Sequence, residues 1–233
     1  MKTQSLSASS QAMKPPIFRG RIFRSTDAEE RCDHMSGFYQ ETEGIYRLSI
    51  PFERIYTSVF LITTEEGSAL VDCGTTDSDV DNHIVPCLYE MGYQLHDIKF
   101  LVLTHRHGDH SGGLERILNI APDIKVVTDV CDLFREVSTY PLAGHTDDSI
   151  GVFDGRTGTL ISGDGLQGAG VDKYRCNTDD PEAYLKTLDR IDKDEKIKNI
   201  LFSHAYEPWN SDAVFGREKV RECLKQCSTY VKR

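Results

Sequence analysis

The stretch HRHGDH, His105 to His110, holds three of the eight histidines in a chain of 233 residues. Imidazole nitrogen and carboxylate oxygen are donors that a borderline divalent cation accepts from protein. In a short loop after a strand, residues at i and i+2 can face one point, so His105 and His107 suit one ion. Asp109 and His110 are displaced along the chain from that pair and suit a second ion close by. A single ion could not easily use all four. Two ions gain from a bridge, and a carboxylate with two oxygens can provide it. Asp164, between two glycines in SGDG, is the natural candidate, and His145 and His204 could complete one ion each. A bridging water on zinc has its pKa lowered to near neutrality. The set therefore predicts hydrolysis by a metal-bridging hydroxide, with Asp109 accepting or passing on the nucleophile's proton. No serine or cysteine nucleophile is required.

These donors need a scaffold that brings distant segments together. β-like runs occur at 44–50, 57–63 and 68–74, the last two joined by TEEG as a hairpin. A helix carrying Val80, Ile84, Leu88 and Met91 follows, stopped at Gly92 and blemished by Pro86. The strand KFLVL (99–103) runs into His105, and a helix bearing Leu114, Ile117 and Leu118 comes next. Further strands are expected at 124–129 and 137–142, and a hairpin from Ser149 ends on Asp164. A helix capped by Asp180 with Pro181 in its first turn follows, then a strand over 199–205 and a last helix from Ala213 to Cys227. His105, His145, Asp164 and His204 each stand just beyond a β-run, and ligand sites of α/β sheets form at the carboxyl ends of strands. Two packed sheets with helices outside would bring those ends to one rim.

Composition sets the limits. Hydrophobic residues make up 39% and charged residues 27%, as in a globular chain. The net charge of −10 disfavours a nucleic-acid partner. No apolar run reaches the roughly 18–20 residues of a membrane helix, so no membrane role is expected. Seven cysteines without a CxxC pair point to reduced thiols in the cytoplasm. Residues 1–43 are expected to form an N-terminal extension without a secretory signal, and residues 44–233 a single domain. His34, His83 and His96 lack a comparable setting and read as ordinary packing or solvent histidines.

HRHGDH followed by His145 in LAGHT, Asp164 in SGD and His204 in SHAY resembles the metallo-β-lactamase-fold hydrolase superfamily and its HxHxDH signature. The resemblance implies an α/β four-layer αββα sandwich of two mixed β-sheets with helices outside. It implies that His105, His107 and His145 hold one metal and Asp109, His110 and His204 the other, with Asp164 bridging. Asp72 in LVDCG matches the family's strand-end aspartate, which orients a ligand. Two divalent ions are implied, zinc first, with iron or manganese as alternates.

Within the superfamily, a cysteine at the position of Asp164 would mark true β-lactamases, and RNA-processing nucleases need a basic insertion. Flavodiiron oxidoreductases need a flavin domain. Glyoxalase-II-like thioesterases share the ligand set, but their long helical substrate domain exceeds the 29 residues after His204. The expectation is thus a glyoxalase-II-like or lactonase-like hydrolase of an ester, thioester or lactone of a small molecule. Only 34 residues separate His110 from His145, shorter than the family's usual span, which bears on the pocket wall. Tyr174 and Arg175 are candidates to reach substrate, while Cys73 and Cys176 read as buried, inert thiols. The alternative is a persulfide-dioxygenase-like enzyme with one non-haem iron, since two histidines and one carboxylate can be drawn from the same ligands. A non-catalytic scaffold is a third.

Overall fold

A computed structural model of the chain describes residues 37–52, 55–166, 178–206 and 211–231. Alternation of side chains along each strand sorts its apolar residues onto two faces, and three hydrophobic layers result. Phe60, Val71 and Val102 of one sheet meet Val137, Val152, Ile161 and Leu201 of the other. Their chain neighbours Leu61, Leu70 and Leu101 face outward onto Val80, Ile84, Leu88 and Ile117. On the far side, Leu160, Ile200 and Phe202 pack under Tyr184, Leu188, Val220 and Leu224. Helix, sheet, sheet, helix is the order of layers, as the resemblance implied.

The first sheet runs in chain order, β1 (Tyr39–Thr42), β2 (Ile45–Phe52), β3 (Ile55–Thr64), β4 (Gly67–Val71), β5 (Ile98–Val102) and β6 (Lys125–Val127). Its early strands pair antiparallel, whereas β4, β5 and β6 are parallel. The crossover from β4 to β5 is helical, with α1 (Asp77–Asp79), a π-helical turn (Val80–Ile84) and α2 (Val85–Glu90). Pro86 lies in the first turn of α2, where a missing N–H costs little, so the wide turn before it absorbs the expected blemish. From β5 to β6 the chain passes α3 (Gly108–Ser111) and α4 (Leu114–Ile120).

The second sheet contains β7 (Asp132–Phe134), β8 (Val137–Pro141), β9 (Ile150–Asp154), β10 (Thr159–Ile161), β11 (Asn199–Tyr206) and β12 (Ser211–Phe215), also in spatial order. β10 and β11 are parallel, joined through α5 (Pro181–Lys193), and α6 (Arg217–Val231) closes the described chain. Asp180 caps α5 as expected, accepting from the Ala183 N–H at 2.9 Å.

Three edge strands depart from expectation. β1 lies inside the stretch assigned to the extension and pairs with β2 around Gly44. β7 was not foreseen. β12 takes Ala213, expected to open the last helix, into a strand, and the helix begins after Gly216. In each case pairing to a longer neighbour decides the conformation of a segment too short to declare itself.

Candidate metal centre

The parallel strands β4, β5, β10 and β11 end at the same rim, and every donor singled out above stands on a segment that reaches it. Asp72 follows β4, His105 follows β5, Asp164 follows β10 and His204 lies in β11. His107 caps α3, which carries Asp109 and His110, and His145 sits in the loop after β8.

Three overlapping sets bring one donor atom each to within 4.8 Å of one another: His105, His107 and His145; His105, His110 and Asp164; and Asp109, His110 and His204. His107 Nδ1 lies 2.9 Å from His105 Nε2 and 3.2 Å from His145 Nε2. On the other side, Asp109 Oδ2 approaches His204 Nε2 at 3.2 Å and His110 Nε2 at 3.4 Å. Asp164 stands between the two groups. Its Oδ1 faces His204 at 3.3 Å and His110 at 3.6 Å, while Oδ2 faces His145 at 3.9 Å. His105, His110, His145, Asp164 and His204 are buried, Asp109 is half-buried and His107 is exposed, so the centre opens on the His107 side.

Local chemistry explains how these side chains are held. The HRHGDH loop docks on the segment after β4: Cys73 N–H donates to the His110 carbonyl at 2.8 Å and Gly112 N–H to the Gly74 carbonyl at 3.0 Å. Any side chain on Gly112 would collide there, because a Cβ would fall 1.8 Å from the Thr75 carbonyl oxygen. Asp72 ties the strand ends together, accepting from Thr104 N–H at 2.8 Å, Thr104 Oγ1–H at 2.9 Å and His110 Nδ1–H at 2.8 Å. Its φ of 63° is the left-handed conformation, which Asp tolerates better than most residues. The His145 loop is pinned by α5, whose Thr187 hydroxyl donates to the Ala143 carbonyl at 2.8 Å.

Charge is finely balanced. Burial lowers His105 to about 2, with neighbouring His110 adding to the effect. Burial is the largest single influence on His110 and His204 and opposes their charge, but the carboxylates together outweigh it: Asp164 and Asp109 at each, with Asp72 added at His110. His110 is raised well above the histidine range and His204 to about 9. Against the same burial, the neighbouring His110 and His204 imidazoles hold both Asp109 and Asp164 below the usual carboxylate range.

The donor set fits a divalent cation. With Nδ1 committed to Asp72, His110 turns a fully buried Nε2 into the cluster, where it makes no well-formed hydrogen bond. A buried polar atom without a partner calls for one, and an imidazole nitrogen facing carboxylates and further imidazoles is a metal donor.

Sequence reasoning brought seven donors and Asp72 to this rim, and all eight are there. Tyr174, Arg175 and Cys176 lie outside the described residues. Cys73 is buried, its Sγ–H donating to the His110 carbonyl at 3.3 Å, and burial pushes the thiol up to about 12. Arg47, Thr57 and Ser58 were missed; the available signal was an arginine on a strand face shared with Ile45, pointed at the other sheet.

Fold and cluster together define the class: an αββα sandwich whose two sheets jointly present a divalent-metal donor set. Residues 53–130 match the metallo-β-lactamase superfamily model. A hydroxyacylglutathione hydrolase of Legionella pneumophila (strain Corby) is 25% identical over 158 residues, 56% of this chain and 61% of that enzyme. The cytoplasmic hydroxyacylglutathione hydrolase of Arabidopsis thaliana is 27% identical over 175 residues, 60% of this chain and 68% of the relative. The metallo-β-lactamase FIM-1 from Pseudomonas aeruginosa, solved in its mono-zinc form, superposes with a TM-score of 0.65 over 84% of this chain and 94% of its own; at 16% identity that likeness concerns the fold. Over residues 53–130 the chain is thus similar to the metallo-β-lactamase superfamily, and the relatives it resembles at 25–27% identity are hydroxyacylglutathione hydrolases.

Proposed function

We propose that the chain is a metal-dependent hydrolase that holds two divalent cations, zinc first, and cleaves an ester, thioester or lactone bond of a small molecule. The observation that carries this reading is Asp164, which presents one oxygen toward His110 and His204 and the other toward His145. His105, His107 and His145 would hold one ion, Asp109, His110 and His204 the other, with Asp164 shared. Zinc bound there supplies a Lewis acid and a water acidic enough to ionise near neutral pH. The chain's own residues do the rest. Asp72 fixes the His110 ring, buried His105 and His204 keep water from the back of the centre, and Asp109, kept ionised and half-exposed, is placed to take the nucleophile's proton. The relatives named for hydroxyacylglutathione favour the thioester within this set.

A small molecule, and neither nucleic acid nor membrane, is the partner this reading assigns, in keeping with the net charge of −10. No helix among the described residues is long and apolar enough to cross a membrane. Cys73, Cys131 and Cys223 are thiols, which fits the cytoplasm as location. A second reading rests on the buried set His105, His110 and Asp164, two histidines and one carboxylate, the pattern of mononuclear iron oxygenases.

Metal analysis by mass spectrometry, paired with a screen of esters, thioesters and lactones on the same sample, separates the two. About two zinc ions per chain with hydrolysis lost in Asp109→Asn bears out the hydrolase. One iron with oxygen consumption on a persulfide replaces it with the oxygenase, and turnover unaffected by Asp109→Asn removes Asp109 from the mechanism.

A further inference from the structure

Three consecutive residues of β3 each grip a different part of the Asp109, His110 and His204 side of the centre. The Tyr56 carbonyl accepts from His204 Nδ1–H at 2.7 Å, the Thr57 hydroxyl donates to the Asp109 carbonyl at 3.0 Å, and the Ser58 hydroxyl donates to the Ser203 carbonyl at 2.8 Å. Behind them Arg47, on β2, is completely buried. Its Nη1 donates to Ser58 Oγ at 3.0 Å and to the Phe202 carbonyl at 2.7 Å, its Nη2 to the Asp212 carbonyl at 2.8 Å, and its Nε to Glu41. The guanidinium also lies 4.7 Å from the Phe60 ring centroid.

The carbonyls are there to be gripped because pairing of β11 with β12 changes register between Leu201 and Tyr206. A bulge leaves backbone groups without ladder partners and re-aims a side chain, and buried carbonyls need donors. Arg47 and Ser58 supply them across the gap between the two sheets. A buried charge is costly, and an apolar side chain would pack this face without that cost. What the arginine adds is a fixed fork of donors that holds the bulged segment of β11 at one height on β3. The His145 loop is held separately, by Thr187 and by Asp179 N–H on the His145 carbonyl.

We propose that Arg47, Thr57 and Ser58 are positioning residues for one half of the metal centre, fixing β11 and α3 against β3 so that His204 and Asp109 present their donors to the same ion. The proposal rests on the two-ion reading above, and it makes the centre asymmetric: disturbing β3 releases the ion of Asp109, His110 and His204 and spares the ion of His105, His107 and His145.

Stepwise zinc titration of the full chain against a chromophoric chelator tests it in Thr57→Val and Ser58→Ala. The expected result is one binding step weakened by ~10–100-fold, the size usual for groups that orient ligands, with the other step unchanged. Thr139→Val, which removes a buried hydroxyl bonded to the Asp129 and Cys131 carbonyls and to none of the segments carrying Asp109 and His204, is the control and should move neither step. Arg47→Lys, which keeps charge but loses the fork, should behave as Ser58→Ala; if it fails to fold, the two milder variants decide. In the apoprotein, NMR should show the His204 Nδ1 proton exchanging with water faster in Ser58→Ala than in wild type. Both steps weakened equally, or unchanged steps with unchanged exchange, overturns the positioning role. Wild-type protein that takes up no zinc defeats the metal-hydrolase reading instead, and the exchange measurement then decides positioning alone.

Discussion

His110 Nδ1 and Asp72 Oδ2 lie 2.8 Å apart with both residues sealed from solvent, and this bond decides which nitrogen of His110 faces the cluster. The same carboxylate holds Thr104 by its backbone and its hydroxyl, so one side chain sets both the ring orientation and the spacing of β4 from β5.

Replacing Asp72 separates those two jobs. Asn accepts one hydrogen bond and tolerates the left-handed backbone, so Asp72→Asn should stay folded yet bind zinc ~10–100-fold more weakly. Asp72→Ala leaves Thr104 and His110 donors buried without an acceptor and should cost about 1–3 kcal/mol of stability besides. Chemical denaturation alongside metal titration reads both; equal stability of the two variants would show that the carboxylate is not holding the strand ends.

The apoprotein should have its own pH profile. His204 sits at about 9 in the folded chain, above the ~6.5 of an unfolded histidine. Its charge therefore stabilises fully below about pH 6.5, and that contribution fades as pH rises through 9. Asp109 and Asp164, lowered in the folded chain, contribute above the ordinary carboxylate pKa of about 4 and lose that contribution as pH falls through their depressed folded values. Thermal melts in chelator should thus lose stability toward both alkaline and strongly acid pH. A melt that rises from pH 6.5 to 9.5 contradicts this assignment.

Metal binding at these donors should displace those protons. At pH 7.5 about two protons per chain should be released, from His110 and His204, because metal ligands bind deprotonated. Calorimetry in buffers of different ionisation enthalpy measures the number, and release near zero would place the ion elsewhere.

Binding also adds stability by mass action. At free zinc 100-fold above Kd the gain is about 2.7 kcal/mol, which for a chain of this size raises Tm by roughly 5–10 °C. Scanning calorimetry with zinc and with chelator checks it, and an identical Tm in both would mean that folding and metal binding are not linked.

Thiol reactivity offers a test independent of metal. Cys73 is buried and its thiol is pushed to about 12, whereas Cys131 is exposed. Alkylation at pH 8 followed by peptide mapping should find Cys131 modified while Cys73 stays intact until the protein is unfolded.

The gathering of these donors at one rim was legible because it is written in residue type: His and Asp recur at the ends of apolar β-runs, and few structural roles place them there. The layers were legible for a similar reason, since adjacent apolar residues such as Leu70 and Val71 form the continuous run of a strand covered on both faces. Arg47 was not. It donates to a carbonyl 155 positions away, and its role exists only once the register shift in β11 has exposed that carbonyl. The edge strands β1, β7 and β12 are three to five residues long, too short for a period to emerge. Pro86 disturbed the helical pattern because sequence spacing gives no sign of the π-helical turn that precedes it.

Chain order has a consequence for biosynthesis. The donors His105, His107 and His145 are all translated before residue 146, whereas the set with Asp109 and His110 waits for His204, late in a chain of 233 residues. Synthesis proceeds from the N-terminus, and a domain folds as a unit. The donors His105, His107 and His145 emerge first, but Thr187 and the Asp179 N–H that hold the His145 loop come later, so that set too is fixed only once α5 has been made. Assembly of the donor cluster would therefore be a late event of synthesis, completed when β11 pairs with β10.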